Sequence, residues 1–322
     1  MEERLELDMP CTSESLVLAE TDEFRITYHR HEQDDHSPER TVVITFGTLQ
    51  SDIDYSGFGT ELLLKNGYST IYVAPKRGKQ YQTLSREQFL DAVSDHIHGR
   101  RVVAYGASLG AYAAAYYTGA LGAELIAVAP QLPALPALGM RHAQTVPILH
   151  QDLKEAPRTS GRVVVVWDPH EKPDNILTND FLRVLYPSAA FVELPFTGHK
   201  VLETLAVYGV VADYILSIVE DFTIPPLDLP TTTSHIWNSN YGKKLVREAK
   251  PQEALHYLEK SFEMQPSSEN IQLLAKVYEQ LNLVEAGAKL HDVITSDPQV
   301  ERLVFNNARR SLASLLGHDP IV

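Results

Sequence analysis

The chain has 322 residues, 44% hydrophobic and 22% charged, a globular balance with room for one large domain and an appendage, or for two domains. A formal charge of −14 disfavours nucleic acid and anionic membrane surfaces as partners, because both repel an acidic chain at long range. Cys11 is the single cysteine, so no disulfide forms within the chain and a reducing, cytoplasmic setting is expected.

Met1-Glu-Glu-Arg-Leu-Glu-Leu-Asp8 is acidic and lacks the apolar stretch of a secretory signal. Strands are then expected at Ser15–Ala19 and Phe24–His29, reading as an edge hairpin, followed by Thr41–Phe46, Thr70–Ala74, Arg101–Tyr105, Leu125–Ala129, Val163–Trp167 and Ala190–Leu194. Helical patterns fill the gaps at Gly57–Asn66, Arg86–His98, Ser108–Ala120, Asn175–Tyr186 and Lys200–Val219. Continuously apolar runs such as Val163-Val-Val-Val166 suit strands covered on both faces. This alternation predicts an α/β fold, a mostly parallel eight-stranded sheet with helices on both sides, and the order of the elements resembles the α/β-hydrolase scaffold. Two apolar stretches are not membrane spans: Ala111–Ala129 is divided by Gly119, Gly122 and Glu124, and Leu205–Val219 is short and carries Asp213.

The proline-rich segment Gln131–Gly161 lies where hydrolases of this fold often insert a cap, and its shortness predicts a small lid or none. Ile224-Pro-Pro-Leu-Asp-Leu-Pro-Thr-Thr-Thr-Ser234 reads as a linker. Beyond it only helical patterns remain, and Ala254, Leu258 and Pro266 recur as Ala286, Leu290 and Pro298, a period of 32 residues. Gly242 supplies a small residue for close helix packing in the first unit, and Pro251–Pro266 resembles the second helix of a tetratricopeptide repeat. The division is therefore a hydrolase domain at 1–225, a linker at 226–234 and a helical, tetratricopeptide-like region at 235–322. Two units are few for such a repeat to stand alone, so the region is expected to pack on the first domain, self-associate or bind a protein partner.

The chemistry centres on Tyr105-Gly-Ala-Ser-Leu-Gly-Ala111. A strand leads into G-x-S-x-G and an alanine-rich helix leads out, the context of a nucleophile elbow. Ser108 is the candidate nucleophile, with Gly106 and Gly110 keeping the strained turn small. A serine hydroxyl needs a base, and His199, after Gly198 and the last strand, stands where this fold places one. The orienting acid is sought after the penultimate strand in Trp167-Asp-Pro-His-Glu-Lys-Pro-Asp-Asn175. Asp174 leads, although it could instead cap the following helix; Glu171 and Asp168 remain alternatives. Leu109 and the Gly47–Thr48 turn are candidates for the oxyanion hole, Thr48 ahead of Gly47. Lys76, Arg77 and Lys79 form a basic run at a strand's carboxyl end, a candidate contact for an anionic substrate group against the plainer reading of a solvated loop. The pairs His29/His31 and His96/His98 have no matching ligand cluster, so no metal and no cofactor are expected.

Phe46-Gly47, Gln80-Tyr81-Gln82, Tyr105 to Ala114, Ala129-Pro-Gln131, Trp167-Asp-Pro with Asp174, and Gly198-His199 together resemble bacterial α/β-hydrolase-like proteins of polysaccharide and glycosyltransferase loci, over residues 40–220. That group more often reads Ser-Met-Gly-Gly at the elbow, where this chain has Leu109 and Ala111. The resemblance implies esterase or acyl-transfer activity on a glycan ester or related small molecule. The competing expectation is a non-catalytic hydrolase-fold module that recruits a biosynthetic partner through its helical tail.

Overall fold

The computed structural model describes residues 12–133, 146–229 and 233–317. Cys11, the acidic N-terminus, residues 134–145 of the expected lid segment and 230–232 of the linker lie outside the described residues.

Eight strands form one sheet: β1 Thr12–Glu20, β2 Phe24–His31, β3 Val42–Phe46, β4 Ser69–Pro75, β5 Val102–Ala107, β6 Glu124–Val128, β7 Val163–Trp167 and β8 Ala190–Glu193. Their order is β1-β2-β4-β3-β5-β6-β7-β8. β1 and β2 are antiparallel to their neighbours and the other pairings are parallel. This is the α/β-hydrolase fold. Burial explains the apolar runs: every residue of β3, β4, β5 and β7 is buried, whereas the edge strand β8 is only half-buried. Each buried valine of β7 contributes about 1.5–3 kcal/mol relative to an exposed position.

Between the strands run α1 Thr60–Lys65, α2 Arg86–Ile97, α3 Leu109–Thr118, α4 Lys172–Leu177 and α5 Arg183–Leu185, then α6 Val201–Val207 and α7 Val211–Asp221. α2 begins in a capping box between Ser85 and Gln88. The helix expected over Asn175–Tyr186 starts earlier, at Lys172, and passes through a π turn at Thr178–Leu182 before α5. Pro173 explains the early start: in the first turn its missing N–H costs nothing and its fixed φ suits a helix. The helix expected over Lys200–Val219 is split at Gly209, whose φ is +71°.

The chain divides into two compact units. The first comprises residues 1–194 and 209–226; the second comprises 195–208 and 227–322. In the second unit α8 His235–Arg247, α9 Pro251–Met264, α10 Ser268–Leu281, α11 Val284–Ser296, α12 Pro298–Glu301 and α13 Asn306–Leu316 surround a core that includes Leu258, Ile271, Leu274 and Leu290. Ala254 and Leu258 are fully buried, and a Cβ on Gly242 would stand 2.6 Å from Leu258 Cδ2, so α8 and α9 approach closely there. The segment Pro195–Tyr208 groups with these helices because Phe196 packs edge-on against Trp237 and Tyr241 of α8, at ring-centroid distances of 5.5 and 5.1 Å. No single helix among the described residues is long and apolar enough to cross a membrane.

Candidate active site

Sheet register determines which loops meet. Phe46 of β3 pairs with Gly106 of β5, Ala107 with Val128 of β6, and Val128 with Val166 of β7. The loops that begin at Gly47, Ser108, Ala129 and Asp168 therefore leave the same end of the sheet, the carboxyl end where open α/β sheets bind ligands.

Ser108 has φ 55° and ψ −125°, a conformation that residues with a Cβ rarely adopt. Its N–H is held by the Val128 carbonyl at 2.9 Å, and its own carbonyl accepts from Ala111 and Gln131 at 3.1 Å each. The flanking glycines are required by contact. A Cβ on Gly106 would lie 2.2 Å from the Gly110 carbonyl oxygen, and one on Gly110 would lie 2.6 Å from that of Phe46. α3 starts at Leu109 and is buried throughout. Its first-turn amides, including that of Leu109, have no acceptor within the helix and carry the positive end of its dipole beside Ser108. The Ser108 hydroxyl donates to Gln131 Oε1 at 3.3 Å. Gln131 stands in the motif Ala129-Pro-Gln131 just after β6, and its contact with the serine hydroxyl is not signalled by the sequence around it.

Of the two residues considered for the second oxyanion donor, Gly47 has its N–H committed to the sheet, bonded to the Val73 carbonyl at 3.0 Å. That bond removes Gly47 as a donor in this conformation. The Thr48 N–H donates to the Ser51 hydroxyl at 2.9 Å, an acceptor that a substrate oxygen would have to replace. Tyr81 anchors the same turn, its hydroxyl donating to the Gly47 carbonyl at 2.8 Å and the Val73 carbonyl at 3.2 Å. Burial pushes the Tyr81 phenol well above its ordinary range, so it acts as a neutral donor. Gln80 and Tyr81 both hold positive φ, at 50° and 65°. The side chain that fastens the turn thus comes from a strained loop more than thirty residues away in sequence.

The three acid candidates all belong to the first unit. Asp168 leaves β7 directly, is 1% exposed, and accepts from the His170 amide at 2.8 Å through Oδ1, closing the turn around Pro169. Glu171 occupies the N-cap position of α4 without a side-chain capping bond. Asp174 is fully buried and lies within the first turn of α4, not ahead of it, so the capping role weighed for it does not arise. Asn175 ties the stretch together, accepting from Trp167 Nε1 at 3.1 Å and donating to the Pro169 carbonyl at 2.5 Å.

His199 follows Gly198 in the second unit, just before α6. The backbone ahead of it is tightly turned, with φ of 65° at Phe196 and 66° at Gly198.

The basic run after β4 is largely neutralised. Lys76 pairs with Asp52 at 3.1 Å and Lys79 with Glu23 at 2.9 Å, which weakens the case for an anionic-substrate contact, while Arg77 is exposed. His29 is spent between the Ser15 hydroxyl at 2.9 Å and the Tyr55 carbonyl at 2.8 Å. Among the described residues, no group of three or more His, Cys, Asp or Glu side chains could hold a metal ion. One cluster went unanticipated: His150 stacks on Tyr116 at 4.1 Å and bonds to the hydroxyls of Tyr112 at 2.9 Å and Tyr117 at 3.1 Å. Burial lowers the His150 pKa, which keeps the ring neutral in this aromatic setting.

No family model and no curated protein matches the sequence. Among solved structures, the chain is similar to a lidless α/β serine hydrolase from Xanthomonas campestris at 16% identity and TM-score 0.42, covering 68% of this chain and 98% of that one. A capsule O-acetyltransferase of Neisseria meningitidis serogroup A gives 15% identity and TM-score 0.44, with 63% and 93% covered. A fluorophosphonate-binding serine hydrolase of Staphylococcus aureus gives 14% identity and TM-score 0.42, with 65% and 98% covered.

Proposed function

We propose that this protein is a serine ester hydrolase or acyltransferase that works through an acyl-enzyme on an ester substrate, an acylated carbohydrate being the one example that the resemblance of its motifs suggests. The observation that carries the reading is the backbone of Ser108, at φ 55° and ψ −125° between two glycines that tolerate no Cβ, at the N-terminus of α3. Strain of this kind costs about 1–3 kcal/mol and persists where the surrounding structure enforces it. A turn needed only to join a strand to a helix has no use for it.

In the proposed reaction Ser108 Oγ attacks the ester carbonyl carbon while His199 accepts the hydroxyl proton. The carbonyl π electrons move to oxygen, and that oxyanion is held by the amides of Leu109 and Thr48, the latter exchanging its bond to Ser51. Collapse of the tetrahedral intermediate breaks the bond to the leaving alcohol, which takes the proton back from His199. Water completes hydrolysis, or a second alcohol completes transfer, by the same steps in reverse. The acid that fixes the imidazole tautomer comes from the stretch after β7, with Asp174 in the first turn of α4 first and Glu171 and Asp168 as alternatives. The repeat-like helices of 235–322 are proposed to serve as a surface for a protein partner or for a second copy of the chain.

Turnover of p-nitrophenyl acetate by the native protein and by Ser108→Ala tests the reading. Loss of turnover in a variant that still melts cooperatively is the expected result. Equal turnover in both proteins would remove Ser108 from the mechanism.

A further inference from the structure

We propose that Asn240, on the first helix of the helical unit, is a positioning residue for His199. The inference rests on the proposed role of His199 as base and assigns the helical unit a part in the chemistry.

The residues before His199 follow no regular pattern. Phe196 and Gly198 both have positive φ, so the segment continues neither a helix nor a strand. Two side chains from the second unit hold its carbonyls. Asn240 Nδ2 donates to the Phe196 carbonyl at 3.2 Å, and the Thr204 hydroxyl donates to the Thr197 carbonyl at 3.1 Å. Lys200, the N-cap position of α6, follows His199 immediately. The histidine therefore stands between a segment clamped at its carbonyls and a helix start.

The clamp on α8 is a single face. Trp237, Asn240 and Tyr241 are three and four residues apart, which places them side by side. Trp237 and Tyr241 stack at 4.9 Å and both receive the Phe196 ring edge-on. Asn240 is only 7% exposed. Asparagine is a poor helix former, and burying its amide is costly without a partner, so packing alone would favour an apolar residue there. The Phe196 carbonyl supplies that partner. Contact also runs the other way: a Cβ on Gly198 would stand 2.6 Å from Asn240 Nδ2 and would have to displace that amide, at a φ of +66° that itself favours glycine. The residue next to the candidate base is thus fitted against the residue proposed to position it.

The test uses the full-length protein and an alkyl fluorophosphonate, measuring the maximal inactivation rate kinact and the half-saturation constant KI. Asn240→Ala is expected to lower kinact ~10- to 100-fold, the range that a misplacement of about 1 Å produces, with KI within about twofold of native. Because Asn240 acts through His199, the double variant His199→Gln/Asn240→Ala should be no slower than His199→Gln alone. A residue that merely stabilises the fold would not give this non-additivity. Gly198→Ala, which presses on the same contact from the loop side, should reproduce the pattern and serves if Asn240→Ala fails to fold. Native kinact in Asn240→Ala, or losses that multiply with His199→Gln, would overturn the proposal. Native inactivation rates in His199→Gln would instead overturn the role of His199 itself, a failure seen in that single variant alone.

Discussion

The strain at Ser108 can be measured by replacing the serine with residues that do and do not carry a Cβ. Ser108→Ala keeps the Cβ and therefore the cost of φ 55°, ψ −125°; Ser108→Gly removes it. Both variants lose the hydroxyl bond to Gln131, so that loss cancels between them. Relief of strain is worth about 1–3 kcal/mol, and the greater freedom of glycine in the unfolded chain takes back about 0.5–1 kcal/mol. Ser108→Gly should therefore be more stable than Ser108→Ala by about 0–2.5 kcal/mol, and by ~1 kcal/mol at the middle of the two ranges. For a unit of this size each kcal/mol moves the melting midpoint by ~2–4 °C. Parallel thermal melts under one buffer would resolve the difference. If Ser108→Gly melts below Ser108→Ala, the turn is not strained, and the main support for a nucleophile at this position is lost.

Three further outcomes are expected. Tyr81→Phe leaves the Gly47 carbonyl without the hydroxyl bond at 2.8 Å, which should cost about 1–3 kcal/mol in urea unfolding and slow probe labelling; native stability together with native labelling would show that Tyr81 does not fasten the oxyanion turn. Burial raises the Asp34 carboxyl, but the Ser69 hydroxyl, the Arg100 guanidinium and the His36 amide outweigh it and bring its pKa from 3.8 to about 2. A carboxyl with a lowered folded pKa contributes its full stability above 3.8 and loses it as pH falls toward about 2. Native protein should thus lose about 2 kcal/mol more than Asp34→Asn across that interval, at ~1.4 kcal/mol per unit, and parallel acid-unfolding curves would refute this. Among Asp174→Asn, Glu171→Gln and Asp168→Asn, one variant should lose most of its turnover yet still label at Ser108, because nucleophile and oxyanion donors remain; full turnover in all three would leave a serine–histidine dyad as the better account.

The strands were legible because their covering on both faces demands unbroken apolar runs, as in Val163–Val166. The elbow was legible for a steric reason: the close approach of Gly110 to Phe46 admits no other residue, and that necessity appears in the sequence as glycine. Helix ends were less so. Asn175 looked like the start of a helix, but Pro173 fits the first turn equally well and moved the start to Lys172, which placed Asp174 inside the helix. Contacts across long sequence distances left no local signal. Tyr81 reaches Gly47, Gln131 reaches Ser108, and Asn240 reaches Phe196 through bonds that depend on where the chain returns. The grouping of Pro195–Tyr208 with the helical unit is of the same kind, since it depends on the Phe196 ring meeting Trp237 and Tyr241.

Intact-mass spectrometry after exposure to a fluorophosphonate tests the central claim most directly. Native protein should gain the mass of one phosphonyl group, with peptide mapping placing it on Ser108, and Ser108→Ala should gain none. An unmodified native protein, or an adduct that persists in Ser108→Ala, would contradict the assignment of Ser108 as an activated nucleophile.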